Sequence, residues 1–290
     1  MSPSSIVPVG ADKDMDSVSP HLQQIIRETE EENKRSPMED KFCPTFLPSD
    51  GPVLAASIYH FVSYYFTKNV FIKRQPHADE MGLDIYGEPI VIPYITDRIR
   101  NEAAALRFIS EHTTIPVPKL LGSWEENGLV HLKTEMVHGA IALQNVEEAR
   151  LPAAIQSVTE QLETDILPQL RRLRRNFIGS ADPNLPVTVP HNLWGWKDKR
   201  EWPRVTTEKD DFVFVHTDLG RQNILVDPDT FRIVSIIDWE TAGFFPQDWE
   251  LPKWKFNNHT PEELQLISEA KARQLPLFGA DFADEGVENN

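Results

Sequence analysis

The sequence contains very little cysteine: Cys43 is the only one among its 290 residues. A single thiol excludes a disulfide within the chain and a cysteine-based metal cluster. Long apolar runs are also absent, because the most apolar stretch, residues 53–66, is short and carries serine, histidine and tyrosine. The N-terminus lacks the basic start and apolar block of a secretory signal. We therefore expect a cytoplasmic protein with no membrane segment.

Positive charge is scarce as well: 29 Lys and Arg residues stand against 45 Asp and Glu residues, for a net charge of −16. Without a long basic run to offset it, this balance argues against a nucleic-acid partner. An acidic surface would instead attract a cationic small molecule. The length, with a hydrophobic content of 40%, allows one large domain or two lobes with room for a core.

The pattern along the chain predicts three segments. Residues 1–40 are polar and are predicted to form a tail or a docking helix, helical over Pro20–Lys34. Residues 41–138 are predicted to contain strands at 59–66 and 69–73, a helix at 98–112 capped by Asp97, and a hairpin turning at Asn127-Gly128. Residues 139–290 are predicted to contain helix at 151–176, strands within 212–237, and a helix starting at Thr260.

The strongest chemical signal lies in residues 212–238. Two apolar runs flank the turn sequence Asp-Pro-Asp-Thr at 227–230. If these runs pair as an antiparallel hairpin, Asn223 precedes the first strand and Asp238 follows the second, so both lie at one end beside Asp218. An amide and a carboxylate oxygen suit Mg²⁺, and Asp218 would remain to orient or deprotonate an attacking hydroxyl. Each of these residues alone is typical of an ordinary turn, but their joint spacing favours a phosphoryl-transfer site.

A second set of candidates lies upstream. Lys73 ends an apolar run at 69–73, where a kinase-like enzyme needs a lysine for the nucleotide phosphates. Glu102 shares one face of the predicted helix with apolar residues three or four positions apart, from Ile99 to Ile109. A carboxylate facing inward needs a cation, which favours Lys73 as its partner; the alternative is that Glu102 reaches water at the edge of that face.

These motifs resemble a known family. His-x-Asp-Leu-x-x-x-Asn at 216–223, followed by Ile-Ile-Asp-Trp-Glu at 236–240, is similar to the paired signature of aminoglycoside phosphotransferases and choline kinase-like enzymes. Ala242–Pro246, Trp249-Glu250, Asn101-Glu-Ala and Ile115–Pro118 also resemble that family, from about Phe71 to Trp254. The resemblance is greatest to uncharacterised fungal members of the superfamily.

The resemblance implies an α+β, bilobal protein-kinase-like fold. In it, residues 41–138 would be a small nucleotide-binding lobe with an antiparallel sheet and a helix, and 139–290 a larger, mainly helical lobe that binds the acceptor. It implies that Asp218 is the catalytic base and that Asn223 and Asp238 hold Mg²⁺. Glu135 and Val137 would form the hinge that contacts the nucleotide base through backbone groups. His216 would brace the loop without a direct catalytic role.

The sequence departs from the family pattern in three places, one of which is Thr217, where the family often has glycine or asparagine. No glycine-rich loop precedes Lys73, which weakens the expected phosphate contacts. Gly220 stands where protein kinases commonly carry a lysine, two residues after the catalytic aspartate. One hypothesis is that Arg221 supplies the missing positive charge; the alternative is an ordinary surface arginine.

The leading functional prediction is a phosphotransferase that moves the γ-phosphate of ATP or GTP to a hydroxyl of a small-molecule acceptor, with Mg²⁺. The alternative is a pseudokinase that binds nucleotide or a partner without catalysis, which the missing glycine loop would explain. A protein kinase is the third reading. It is disfavoured because residues 239–290 leave little room for an activation segment and a protein-substrate platform.

Overall fold

The structure is a computed structural model that describes residues 20–35, 40–59, 61–83, 86–88, 90, 94–190, 193, 201–256 and 260–279. The chain forms two compact units. The first comprises Met1–Ile90 and Leu121–Ala140, and the second comprises Val91–Leu120 and Ile141–Asn290. The predicted segments 41–138 and 139–290 differ from this division in residues 91–120, which group with the second unit, and in residues 139–140, which group with the first. Most of the predicted tail, residues 1–19 and 36–39, lies outside the described residues.

The first unit is built on a five-stranded sheet in the order β1-β2-β3-β5-β4. Its strands are β1 (Val53–Ile58), β2 (Ser63–Thr67), β3 (Val70–Arg74), β4 (Leu120–Glu126) and β5 (Leu129–Glu135). The pairs β1–β2, β2–β3 and β3–β5 are antiparallel. The hairpin prediction is confirmed: Asn127 and Gly128 join β4 to β5 with φ angles of 55° and 75°, which a tight two-residue hairpin turn requires.

One strand prediction was wrong in its bounds. The sequence favoured a single strand over 59–66, but β1 ends at Ile58 and β2 begins at Ser63. Between them the chain turns, and the Tyr59 amide donates to the carbonyl of Val62 at 3.0 Å. Aromatic residues with high strand propensity therefore occupy a turn here, because pairing of the flanking strands overrides the local preference.

The predicted N-terminal helix is confirmed as α1 (Pro20–Arg35). It packs against the sheet of the first unit through Leu22 and Ile26, which form a buried cluster with Ala55 of β1. The Thr29 and Ser57 hydroxyls lie 3.1 Å apart and join the same two elements. Burial of this apolar face gives α1 the tertiary support that an isolated helix of this length lacks.

The second unit combines helices with two three-stranded sheets. Its helices are α2 (Ile95–His112), α3 (Leu151–Gln161), α4 (Leu167–Arg172) and α5 (Pro261–Gln274). Its strands are β6 (Ile141–Ala142), β7 (Arg174–Arg175), β8 (Phe212–Val215), β9 (Ile224–Val226), β10 (Ile233–Ile236) and β11 (Gly243–Phe245). One sheet has the order β10-β9-β6 and the other β11-β8-β7. The α+β class predicted from the sequence is thus confirmed.

The start of α2 differs from the prediction. Asp97 was expected to cap this helix, but α2 begins at Ile95 after Tyr94, which has a positive φ of 57°. Asp97 instead lies in the first turn, where a carboxylate still interacts favourably with the helix dipole. The first turn of the helix thus holds the acidic residue that the sequence pattern assigned to the cap.

Pro168 lies within the predicted helical stretch 151–176 without ending it. Residues Leu162–Ile166 form a π-helical turn between α3 and α4, and the Leu167 amide bonds to the carbonyl of Leu162. Because the wider turn shifts the hydrogen-bond register, Pro168 falls in the first turn of α4, where a missing N–H is tolerated. Among the described helices, none combines the length and apolarity needed to cross a bilayer.

The start of α5 confirms the capping signal and gives a stability prediction. The Thr260 hydroxyl accepts from the Glu263 amide at 3.3 Å, and the Glu263 carboxylate accepts from the Thr260 amide at 3.0 Å. Thr260→Ala removes half of this capping box, so we expect the free energy of unfolding to fall by about 1 kcal/mol. Chemical denaturation measures the change. Gln265→Ala, on the exposed face of the same helix, is the control and should alter stability much less.

Candidate active site

The hairpin β9–β10 brings two of the predicted site residues together. Ile224 of β9 pairs with Ile236 of β10, so the first residue of one strand lies opposite the last residue of the other. Beyond this pair, the Ile237 amide donates to the carbonyl of Asn223 at 3.0 Å. Asn223 and Asp238 therefore lie at the same end of the hairpin, as the antiparallel pairing predicted.

Asp218 is held in place through both of its carboxylate oxygens. Oδ2 accepts from Nδ2 of Asn223 at 3.1 Å, and Nδ2 of Asn223 also donates to the carbonyl of Asp218 at 2.8 Å. Oδ1 accepts from the Lys253 ammonium at 2.8 Å. Since the Asn223 side chain uses its donor atom on Asp218, its carbonyl oxygen is the atom suited to a cation.

His216 connects the loop to the end of β10. Its Nδ1 accepts from the Asp218 amide at 3.3 Å, and its Nε2 donates to the carbonyl of Ile237 at 3.0 Å. The ring is fully buried and lies 4.5 Å from the ring of Trp239. Burial lowers the pKa of His216, which favours the neutral imidazole. In that form the ring bonds both to the loop at Asp218 and to Ile237, the residue before Asp238. These contacts agree with the bracing role that the family resemblance implied.

Two residues of the site adopt left-handed backbone conformations. Thr217 has a φ of 71° and Asp238 a φ of 63°. Such a conformation is unfavourable for a β-branched residue and must be held by its surroundings. For Thr217, the side-chain hydroxyl lies 2.8 Å from the Thr241 hydroxyl. Strained backbone of this kind concentrates at functional sites, and here it occurs directly before Asp218 and at Asp238 itself.

Glu250 holds the same loop through hydrogen bonds to its backbone, a role that was not predicted from the sequence. Its Oε2 accepts from the amides of His216 at 2.5 Å and Thr217 at 3.3 Å. Its Oε1 is buried and has no hydrogen-bond partner among the described residues. Burial raises the pKa of the Glu250 carboxyl to about 7. The resemblance of Trp249-Glu250 to the family motif was the one sequence signal that pointed to this position.

Glu102 faces the interior, as predicted. It is 5% exposed, and the residues that share its face of α2, Ile99, Leu106 and Ile109, are buried with it. Two other residues of α2 attach the helix to the chain after Asp238: Asn101 donates to the carbonyls of Glu240 at 2.9 Å and Ala242 at 2.8 Å, and Arg98 forms an ion pair with Glu240. These bonds explain why residues 91–120 group with the second unit.

Three carboxylates meet beside the end of β10. Oxygen atoms of Glu102, Asp238 and Glu240 all lie within 4.8 Å of one another. Like charges at this separation are unfavourable unless a cation is near, and Arg98 supplies one through Glu240. Hard oxygen donors so arranged suit a divalent cation such as Mg²⁺. The sequence predicted Asp238 as a metal ligand and Glu102 as the partner of Lys73, and it did not single out Glu240; the metal-binding role of Asp238 stays a prediction.

The other predicted nucleotide-binding residues lie in the first unit. Lys73 is on β3, is 3% exposed, and sits opposite Tyr64 of β2 and Leu132 of β5. Glu135 ends β5, and Val137 follows it after Met136, whose amide donates to Asn69 at 2.9 Å. The phosphate contact of Lys73, its pairing with Glu102, and the hinge role of Glu135 and Val137 stay predictions.

Arg221 bonds to the backbone of a neighbouring turn, and its predicted contact with the transferring phosphate stays a prediction. Its Nε donates to the carbonyl of Trp254 at 3.0 Å, and its Nη2 donates to the carbonyl of Lys255 at 3.2 Å. The guanidinium thereby fastens the loop to a 3₁₀ turn at Lys253–Lys255. The cation beside Asp218 is Lys253, 35 residues further along the chain.

Comparison with known proteins agrees with this site. A sequence profile described as a phosphotransferase enzyme family matches residues 93–251, which include Glu102, Asp218 and Asp238. An aminoglycoside 3'-phosphotransferase of Streptomyces fradiae is 29% identical over 207 residues, covering 66% of this chain and 71% of the relative. One of Streptomyces ribosidificus is 30% identical over 157 residues, covering 48% of this chain and 57% of the relative.

Among solved structures, an aminoglycoside-3'-phosphotransferase of type VIII aligns with 86% of this chain and 91% of its own, at 16% identity and a TM-score of 0.42. The profile match is the finding that decides the family, because it covers more than half of the chain and contains the loop, the hairpin and the carboxylates described above. This chain belongs to the phosphotransferase enzyme family.

Proposed function

We propose that the protein transfers the γ-phosphoryl group of ATP or GTP to a hydroxyl of a small-molecule acceptor, with Mg²⁺. The observation that carries the proposal is the position of Asp218: both carboxylate oxygens are oriented, by Asn223 and Lys253, at the end of the hairpin where Asp238 also lies. A carboxylate fixed in this way has the geometry to receive one hydrogen bond from an attacking hydroxyl.

In the proposed reaction, the acceptor oxygen forms a bond to the γ-phosphorus as the bond from that phosphorus to the β–γ bridging oxygen breaks. The nucleoside diphosphate leaves, and the hydroxyl proton passes to Asp218. Little covalent chemistry is asked of the protein in such a transfer, so positioning and charge dominate catalysis.

The residues present fit a magnesium ion. The Asn223 carbonyl oxygen and the Asp238 carboxylate would hold it, with further oxygens from Glu102 and Glu240 close to Asp238. When bound, Mg²⁺ would neutralise charge on the nucleotide phosphates. The proposal includes nucleotide-binding roles for Lys73, Glu102, Glu135 and Val137, which their strand, helix and strand-end positions support.

The acceptor class follows from charge and from the relatives. Two relatives are named aminoglycoside 3'-phosphotransferases, and aminoglycosides are polyhydroxylated cations. A net charge of −16 favours the approach of such a molecule over that of an anionic one. We therefore propose a cationic, hydroxylated small molecule as the acceptor.

A screen of small hydroxylated compounds tests the proposal. Purified protein is incubated with Mg-ATP or Mg-GTP and each compound, aminoglycosides first, and phosphorylated products are detected by mass. We expect product with at least one compound, and none with Asp218→Asn as the blank. Thermal-shift measurement with ATP, with and without Mg²⁺, runs in parallel. Binding that is independent of Mg²⁺, together with no product from any compound, would favour the pseudokinase alternative.

A further inference from the structure

The ion pair between Lys253 and Asp218 is largely shielded from solvent. The side chains of Lys253 and Asp218 are 15% and 22% exposed, and Nζ lies 2.8 Å from Oδ1. Because water screens such a pair less than it screens a surface pair, the lysine places a strong positive charge at the reacting end of Asp218. An ammonium has three donors, and Asp218 uses one of them.

The backbone that carries Lys253 is fixed at several points. Arg221, from the loop of Asp218, bonds to the carbonyls of Trp254 and Lys255. On the other side of the turn, the Trp254 indole donates to the Thr159 hydroxyl of α3 at 2.9 Å. The position of Lys253 relative to Asp218 is therefore set by a rigid turn and does not depend on a freely rotating surface segment.

The position of Lys253 could compensate for a lysine that the catalytic loop lacks. The loop has Gly220 where protein kinases commonly carry a lysine, and the guanidinium of Arg221 donates to two backbone carbonyls. An acceptor hydroxyl within hydrogen-bond reach of Asp218 must also touch the γ-phosphorus, so the phosphoryl oxygens pass within reach of the neighbouring ammonium.

We propose that Lys253 contacts the transferring γ-phosphoryl group and stabilises the charge that develops on its oxygens, in place of a cation within the loop. The inference rests on the proposed function. Charge on the equatorial oxygens is what fixed cations stabilise in phosphoryl transfer, and a contact to the γ-phosphate alone distinguishes a triphosphate from a diphosphate.

Nucleotide binding tests the contact without knowledge of the acceptor. The affinities of Mg-AMP-PNP, a non-hydrolysable ATP analogue, and of Mg-ADP are measured by calorimetry for wild type and Lys253→Met. We expect Lys253→Met to bind AMP-PNP about tenfold more weakly and ADP nearly as well as wild type, since one charge-assisted hydrogen bond is lost. Lys253→Arg should recover part of the difference because it keeps the charge.

Lys255→Met is the matched control. Lys255 belongs to the same turn, but its ammonium pairs with Glu163 on the protein surface at 2.8 Å. Its loss should leave both affinities unchanged. Should Lys253→Met fail to fold, as judged by circular dichroism, Lys253→Gln replaces it in the same measurements.

The outcomes separate this inference from the function on which it rests. If wild type binds AMP-PNP more tightly than ADP and Lys253→Met keeps the same preference, the γ-phosphate contact is refuted while the proposed function stands. Equal weakening of both nucleotides in Lys253→Met would also refute it, because a merely structural lysine would act on both. Wild-type protein that binds neither nucleotide would overturn the inference and the proposed function together.

Discussion

Asp218→Asn is expected to lower the rate of phosphoryl transfer by about 10²- to 10⁴-fold, the range typical for loss of a general base. The substitution keeps the shape of the side chain and one carbonyl oxygen for Lys253, but its NH₂ cannot accept from Nδ2 of Asn223. The loop should stay in place, because that Nδ2 still donates to the carbonyl of residue 218 and Glu250 still accepts from the amides of His216 and Thr217. What is lost is the ability to accept a proton and the negative charge beside the acceptor. Affinity for Mg-nucleotide should change only a few-fold, because the nucleotide contacts assigned above lie on other residues.

The measurement is the steady-state rate with the acceptor that the screen identifies, together with calorimetric affinity for Mg-AMP-PNP. Asp229→Asn is the control: this carboxylate lies exposed in the turn of the same hairpin, away from the Asp218 end. It should retain wild-type activity. Full activity in Asp218→Asn would contradict the role of Asp218 as the catalytic base and the proposal that its loop is the catalytic loop.

The central part of the site could be predicted because its determinants are local. Ile224–Val226 and Ile233–Ile236 are apolar runs separated by a turn sequence, so their pairing follows from pattern and turn chemistry alone. Once they pair, the positions of Asn223 and Asp238 follow from the period of an antiparallel ladder. The inward orientation of Glu102 followed in the same way from helical period.

The supporting residues could not be predicted because they come from distant parts of the chain. Lys253 reaches Asp218 across 35 positions, and Glu250 reaches His216 across 34. Nothing in the local sequence of Lys253-Trp-Lys255 says which lysine points inward and which pairs with Glu163 at the surface.

The partners of Arg221 could not be predicted from the local sequence either. Its position in the loop suggested a phosphate partner, and only the tertiary structure shows its bonds to two backbone carbonyls.

Where the bounds of elements were mistaken, tertiary pairing overrode local preference. Tyr59 and Val62 are good strand residues, yet they form the turn between two strands that pair over Ala55–Ile58 and Ser63–Phe66. Asp97 is a good capping residue that lies inside the first turn of α2. In both cases the element was identified correctly and its end was displaced by a few residues.

The buried carboxyl of Glu250 makes the stability of the second unit depend on pH. Its pKa is raised from an ordinary value of 4.5 to about 7, first because burial penalises the charge, while hydrogen bonds from His216 and Thr217 and the nearby Lys253 offset this only in part. Between these two values the folded state holds a proton that the unfolded state has released. The contribution of Glu250 to the free energy of unfolding is therefore greatest below about pH 4.5 and is lost as pH rises to about 7.

Glu250→Gln should remove this dependence, because the amide imitates the protonated acid: its carbonyl oxygen can accept from His216 and Thr217, and its NH₂ group takes the place of Oε1. Relative to the variant, wild type should lose about 3 kcal/mol of unfolding free energy between pH 4.5 and pH 7, and little more above that. Urea denaturation of both proteins at half-unit intervals measures the difference, and other titrating groups cancel in the subtraction.

Glu148→Gln, which changes an exposed carboxylate before α3, is the control and should parallel wild type across the range. A constant difference between wild type and Glu250→Gln at every pH would show that Glu250 has the same pKa in the folded and unfolded states. In that case the loop amides and Lys253 would balance the cost of burial, and above pH 4.5 the ionised, unpartnered Oε1 would need a cation or water to satisfy it.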